Sequence, residues 1–339
     1  MPIIHKYLLC VKSAHYPPGL GDFLRGSIAL YQLSQHINTE LILSFDGHPL
    51  ETCFKKVEHI PNIDMSNVEE FFKSGDHVPT FNDLIKKYAN CTTICICTNA
   101  FPMIPINDTC CDYIKKYLVP NDRIQEKFYE CLKTLDIIDQ QYYIIHIRTG
   151  DESFSKDTSN VPLLNNICQI IDQKIKHSPK QTVILSDNIF MKNSLHLKYG
   201  FKKFDNIPIH LGNLPKENYT VNIDETVIDF LLMAHCSGID QFSIYSWGSG
   251  FSDRCHELYN IPINHYKIIM PKIAELLPPK ISISNSKLST KQKLTQKSVL
   301  KPTQKRSHKH IHEHKHEHKH EHKHEHKHEH KHEHKHEHK

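Results

Sequence analysis

Three polar side chains fall within six residues of one another at His146, Arg148 and Asp151, where an apolar run gives way to a turn. Residues 142–147 read Tyr-Tyr-Ile-Ile-His-Ile, the pattern of a buried strand. Arg148 then stands at the strand's carboxyl end, where open α/β sheets bind their ligands. A guanidinium there offers a planar fork of donors that matches a phosphate. Gly150 permits a close backbone approach, and Asp151 can fix the arginine or accept hydrogen bonds from a sugar. The plainer alternative is a surface ion pair between Arg148 and Asp151, with His146 as a satisfied core histidine. Further polar groups follow at other predicted loop starts: Gly19, Gly21 and Asp22 before a helix, Asp187 after a strand, and Ser246, Gly248 and Ser249 before another helix. Glycine loops and serine-rich helix starts can hold phosphates on backbone N–H groups. Each also has a structural reading, as a tight turn for the glycines and a helix cap for Asp187 and the serines.

The elements that must position these residues alternate. Strands are predicted at 3–11, 41–45, 92–98, 142–147, 181–186, 204–210, 238–244 and 263–268. Helices are predicted at 23–36 with Asp22 as cap, near 68–73 and 81–88, and at 108–118, 122–135, 161–176, 188–199, 224–236 and 252–259. Alternation of this kind predicts an α/β protein with parallel sheets. Residues 151–160 are polar and read as a candidate lid.

The stretch His146-Ile-Arg148-Thr-Gly150-Asp151 resembles the HxRxGD motif of the fucosyltransferases with two Rossmann-like domains. That superfamily holds the α1,2- and α1,6-fucosyltransferases, the bacterial nodulation fucosyltransferase and the protein O-fucosyltransferases. Residues 18–26, Pro-Gly-Leu-Gly-Asp-Phe-Leu-Arg-Gly, are similar to the glycine loop near the start of these enzymes. Ser186-Asp187 and the block from Asp229 to Ser249 resemble two further family segments, in family order. The resemblance implies a GT-B-like architecture of two Rossmann-like domains facing across a cleft. Residues 1–138 would form the acceptor-side domain and 139–280 the nucleotide-sugar-binding domain. It implies transfer of fucose from GDP-fucose to a glycan or glycoprotein hydroxyl, with inversion and no required metal or other cofactor. In that reading Arg148 binds the pyrophosphate and His146 shapes the donor pocket. Asp187 contacts the nucleoside, Ser246, Gly248 and Ser249 cup the phosphates, and the loop from Gly19 closes from the first domain. Asp22, Asp151 and His15 are the candidate bases. Two alternatives stay open: another nucleotide-sugar donor, or a non-catalytic glycan- or nucleotide-binding protein.

Composition narrows the function classes. The formal net charge of +4 comes from the C-terminal segment, since residues 281–339 carry 15 Lys/Arg and 7 Glu. The remaining 280 residues are therefore near −4, which argues against a nucleic-acid surface. The eleven cysteines are odd in number and lack paired Cys-x-x-Cys spacing, so they read as small hydrophobes rather than zinc ligands. Reduced thiols and the lack of an apolar anchor predict a soluble protein of a reducing compartment such as the cytoplasm, with no membrane span. The lack of an anchor favours a soluble enzyme, as in bacteria or a virus, with a viral protein expected in the host cytoplasm, and the wealth of Ile, Lys and Asn suggests an AT-rich genome. Residues 281–339 form a Lys/Ser-rich linker and a His-Lys-His-Glu repeat without an apolar face, predicted to be disordered. Its alternate histidines, beginning His308, His310, His312 and His314, could bind divalent transition metal; a repeat expansion without a role is the alternative.

Overall fold

The computed structural model describes residues 3–6, 18–57, 68–71, 86, 90, 93–151, 159–206, 211 and 223–269. The predicted lid, the helix at 81–88, His15 and the C-terminal repeat lie wholly or mostly outside these residues. The chain is α/β, built on two parallel sheets. The first contains β1 (Ile3–Lys6), β2 (Leu41–Ser44), β3 (Val68–Phe71) and β4 (Ile94–Thr98), in the order β2-β1-β4-β3. The second contains β5 (Tyr143–Arg148), β6 (Thr182–Ser186), β7 (Lys202–Lys203), β8 (Gly238–Ser243) and β9 (Ile263–Lys267), in the order β7-β6-β5-β8-β9.

That second order is Rossmann-like. The chain starts at the central β5, runs outward through β6 and β7, then crosses to β8 and β9. The crevice at such a reversal, outside the carboxyl ends of β5 and β8, is where ligands bind in open α/β sheets. β4, β6 and β8 are buried along their whole length; β4 and β6 accordingly read as apolar or small-residue runs, whereas β8 also buries Asp240 and Gln241.

The helices are α1 (Leu20–His36), α2 (Asp108–Lys115), α3 (Asp122–Thr134), α4 (Val161–Lys174), α5 (Ile189–Tyr199), α6 (Asp224–Ala234) and α7 (Gly250–Tyr259). Asparagine side chains cap four of them: Asn107, Asn121, Asn160 and Asn188 each accept from a first-turn N–H. Residues 1–280 form one compact unit, and a single apolar cluster runs through α1, α2, α3, α6 and α7 between the sheets. The boundary expected at 138/139 lies in sequence between the last strand of the first sheet and the first strand of the second. One contact fixes the spacing of α1 and α7. A Cβ built on Gly21 would lie 2.7 Å from the Gly250 carbonyl carbon, so only glycine lets these helices meet.

Three expected elements are corrected. Residues 68–71 form an edge strand paired with β4, not a helix, because tertiary pairing decides so short a segment. Of the strand expected at 204–210, residues 204–206 lie outside any strand, the pairing falls at Lys202–Lys203, and 207–210 lie outside the described residues. The chain leaves the sheet there because the Phe204 and Asn206 carbonyls turn to accept from Lys192. Helix α1 begins at Leu20 with Gly19 as its N-cap, so Asp22 lies in the first turn instead of capping it.

Candidate active site

A cavity of about 380 Å³ opens between the carboxyl ends of the second sheet and the start of α1. That volume suits a nucleotide-sized ligand. It gathers Gly19, Gly21, Asp22, His146, Arg148, Asp151, Asp187, Gly248 and Ser249 from four separate segments of the chain. Ser246 is exposed and does not line it.

Arg148 is the best-held side chain of the group. Its Nη1 donates to Asp187 Oδ2 at 2.5 Å and its Nη2 to Asp151 Oδ1. Its side chain is 14% exposed, whereas that of Asp151 is 55% exposed and that of Asp187 is 4% exposed. The surface-pair reading is thus incomplete, because the buried partner is Asp187. Burial works against the Arg148 charge, but Asp187 and Asp151 outweigh it and its pKa is raised.

Asp187 does more than meet the arginine. Its carboxylate accepts from Thr149 N at 2.8 and 2.9 Å, Thr149 Oγ1 at 2.8 Å and Gly150 N at 3.1 Å. The end of β6 therefore ties down the whole turn after β5. The capping role considered for Asp187 belongs to Asn188, whose Oδ1 accepts from Met191 N. Gly150 has φ +104°, and a Cβ there would lie 2.7 Å from Ile244 Cδ1. The positive φ of the turn calls for glycine here.

His146 is buried, and its Nδ1 shares a 2.8 Å hydrogen bond with Ser252 Oγ. Burial, helped by the nearby Arg148 charge, lowers its pKa to about 3, so the ring is neutral. Ser252 Oγ also receives Gln241 Nε2 at 2.7 Å. If the serine donates to Nδ1, His146 carries its proton on Nε2 and offers a neutral donor at the cavity wall.

The expected cup of amides after β8 is revised. Gly248 N donates to Tyr245 O at 3.2 Å, and Ser249 N donates to Gln241 Oε1 at 3.2 Å, so both are engaged. The donors that remain at this corner are the first-turn amides of α7, which have no intrahelical acceptor. Gly250 and Phe251 of that turn line the cavity, and so do Leu20, Gly21 and Asp22 of the first turn of α1. Two helix N-termini therefore face one cavity, each carrying partial positive charge.

Other lining residues escaped the sequence reading. Arg25, one turn into α1, donates from Nε to Asn99 O at 2.7 Å, pairs with Asp22 at 2.9 Å and lies over the Phe101 ring. Burial lowers its pKa although Asp22 pulls the other way. Asp229 on α6 is buried and receives Asn206 Nδ2 at 3.0 Å, while Lys192 Nζ donates to Asn206 Oδ1 at 2.8 Å. Burial pushes the Asp229 carboxyl up to about 7, against the pull of Lys192 and the Asn206 bond. The signal for Asp229 was present in sequence as an acid within an otherwise apolar helix, Val227 to Ala234. Among the described residues no three His, Cys, Asp or Glu side chains converge as a metal-binding group, and no helix is long and apolar enough to cross a membrane. The nine described cysteines are all buried and unpaired as disulfides.

With this geometry in place, solved structures supply a comparison. The α-1,6-fucosyltransferase NodZ, co-crystallised with GDP, aligns with a TM-score of 0.50 at 14% identity, over 78% of this chain and 94% of that one. NodZ from Bradyrhizobium in a second structure gives the same TM-score, identity and coverage. The chain has a fucosyltransferase-like fold. Arabidopsis thaliana FUT1 also aligns, with a TM-score of 0.48 at 11% identity, over 80% of this chain and 71% of that one. No protein-family profile matches the sequence, and no curated protein matches it.

Proposed function

We propose that this protein is a glycosyltransferase that moves fucose from GDP-fucose to a hydroxyl of a glycan or glycoprotein, with inversion and without a required metal. The observation that carries the proposal is the fixed Arg148 guanidinium in a cavity that two helix N-termini also face. A diphosphate is the anion such a site fits, because it presents charge and several acceptor oxygens to a planar fork and to backbone amides. NodZ was crystallised with GDP, which supports the same ligand here.

The site's asymmetry suggests how the diphosphate enters. Asp187 is buried and satisfied by Thr149 and Gly150, so it stays. Asp151 is half exposed, and a surface pair of that kind contributes only about 0–1 kcal/mol. A phosphate oxygen would displace Asp151 from Nη2 and leave Arg148 still oriented by Asp187. Arg25 brings a second positive charge from the α1 side.

In the transfer, the acceptor oxygen attacks the anomeric carbon as the carbon–oxygen bond to the β-phosphate breaks on the opposite face. Negative charge then grows on the departing GDP. Arg148, Arg25 and the amides of α1 and α7 would stabilise it, joined by His146 Nε2–H in the tautomer in which Ser252 donates to Nδ1. The carboxylate of Asp151, released from Arg148, is the group we assign to take the acceptor proton; Asp22 keeps its pair with Arg25. Asp229 supports the choice of guanine, since the N1–H and exocyclic amine of that base are donors that would draw its buried carboxyl into the ionised form. Asp187 then acts on the nucleotide through Arg148 and the β5 turn.

Binding and turnover test the proposal together. GDP should raise the melting temperature without added metal, by the equivalent of about 2.7 kcal/mol at ~100 times Kd. UDP and CMP should not, and GDP-fucose should be consumed with release of GDP. Stabilisation by UDP-sugars alone, or only with Mn²⁺ present, refutes the donor; binding of GDP without turnover leaves a binding protein instead.

A further inference from the structure

The turn after β8 displays an aromatic pair that donor chemistry does not use. Trp247 is 72% exposed, yet its ring is stacked on Tyr245 with centroids 4.9 Å apart and planes 16° apart. Both rings line the mouth of the cavity. The turn that carries them is rigidly built. Ser243 Oγ donates to Gly248 O at 3.1 Å and receives Tyr245 N at 3.1 Å, while Gly248 N closes back on Tyr245 O. Gly248 has φ +82°, and a Cβ there would meet Gln241 Oε1 at 2.5 Å, so the corner is set by the backbone. Tyr245 is also tied to the reacting side. Its hydroxyl accepts from Asp151 N at 3.3 Å, and Arg148 lies 5.8 Å from its ring centroid.

A large apolar ring held in water by a fixed turn, with one face covered and one face open, is suited to a ligand that is itself half apolar. A pyranose is such a ligand, because its axial C–H bonds gather on one face while its hydroxyls ring the edge. An aromatic face takes the C–H side, and a nearby carboxylate accepts from the edge hydroxyls. Asp151 supplies that carboxylate beside Arg148, where transfer would occur.

We infer that the open face of Trp247 is the platform for the acceptor's sugar ring, so that the acceptor is a saccharide and not a bare protein hydroxyl. This rests on the transfer reading above and narrows it. A nucleobase is the other planar-face ligand that could use the ring. In the transfer reading the polar edge of the base meets Asp229 on α6, and Trp247, exposed at the cavity mouth, suits a ligand that must come and go after the donor is bound.

Trp247 is the chain's single tryptophan, so its emission reports this site alone. The test titrates the full chain, saturated with GDP, with lactose, maltose and N,N′-diacetylchitobiose, which end in galactose, glucose and N-acetylglucosamine. At least one disaccharide should shift Trp247 emission saturably, while GDP alone should leave it nearly unchanged. With that disaccharide as acceptor, Trp247→Ala should raise its KM about tenfold with kcat and the GDP Kd unaltered, and Trp247→Phe should recover most of the loss. If GDP alone shifts the emission and Trp247→Ala weakens GDP about tenfold, the ring is a base platform and the inference is overturned. If none of the three disaccharides moves the emission, it is overturned as well. Calorimetry of GDP on the wild type reads the donor proposal separately, so a failed donor and a failed platform give different results.

Discussion

Asp187 and Asp151 both hold Arg148, and they do it in opposite ways. Asp187, at the end of β6, is buried and accepts from two backbone amides, one hydroxyl and the guanidinium. Asp151, at the end of the turn after β5, is half exposed and reaches the other guanidinium nitrogen. The first is part of the fold; the second is a partner a ligand can replace. An anion site needs both kinds of group. A positive charge must be kept aimed when the site is empty, and it must also give up a bond when the ligand arrives.

Removing the buried partner should have the largest consequence for folding. Asp187→Ala leaves two buried amides and a largely buried guanidinium without their acceptor, and should cost about 3–5 kcal/mol by urea denaturation. Loss of less than about 1 kcal/mol would put Asp187 in the same class as its exposed counterpart.

The pH dependence should come from the same contrast between buried and exposed groups. Burial lowers His48 to about 4 and His146 to about 3. From those values up to an ordinary histidine pKa of about 6.5, the unfolded chain holds two protons that the folded chain lacks, so stability falls as pH drops. Asp229 acts in the other direction. Its folded pKa is raised to about 7, so the folded chain keeps a proton that the unfolded chain loses from about pH 3.9 upward. Its contribution is present at low pH and lost as pH rises through 7. Asp229 thus offsets one of the two histidine protons, a change of about 1.4 kcal/mol per pH unit between about pH 4 and 6.5, and the Asp253 and Glu257 carboxyls, which burial also raises, pull the same way as Asp229. Asp229→Asn removes that opposing proton and should make stability rise more steeply with pH by about 1.4 kcal/mol per pH unit, as read from denaturation midpoints across the range. A variant with an unchanged slope would show that Asp229 is not the buried acid described.

The exposed partner should matter least to the fold. Asp151→Asn should change stability by about 1 kcal/mol or less and leave GDP binding as tight or tighter, since a competitor for Nη2 is weakened. Its effect should fall on kcat, as expected of a base. Weaker GDP binding in this variant would mean that Asp151 helps to hold the donor.

Much of this was legible in the amino-acid sequence, and what was missed has physical causes. The strand from Tyr143, its terminal Arg148 and the alternating elements are written in local patterns that tertiary contacts only reinforce. The start of α1 was misplaced because Asp22 looks like a cap, whereas the helix begins on glycines whose use depends on α7 lying against them. The amides of Gly248 and Ser249 seemed available because nothing local shows Gln241 reaching forward from β8 to Ser249. Asp229 is visible as a lone acid in an apolar run, but α6 is buried on nearly every side, so no periodicity marks the face on which it lies. Arg25 lies within the glycine-loop segment 18–26, but its place at the cavity depends on how α1 sits, which no local pattern shows.

The measurement that bears most directly on the account is steady-state GDP release by Arg148→Lys, with calorimetry of GDP on the same variant. Lysine keeps the charge but cannot hold Asp187 and a phosphate oxygen in one plane. The account predicts a folded protein whose kcat falls on the order of 10²–10³-fold, about 2.7–4 kcal/mol of barrier. A rise in KM at constant kcat would make Arg148 an anchor for the bound donor and not a stabiliser of the departing phosphate. Wild-type kcat, KM and GDP affinity in a folded Arg148→Lys protein would contradict the account at its centre.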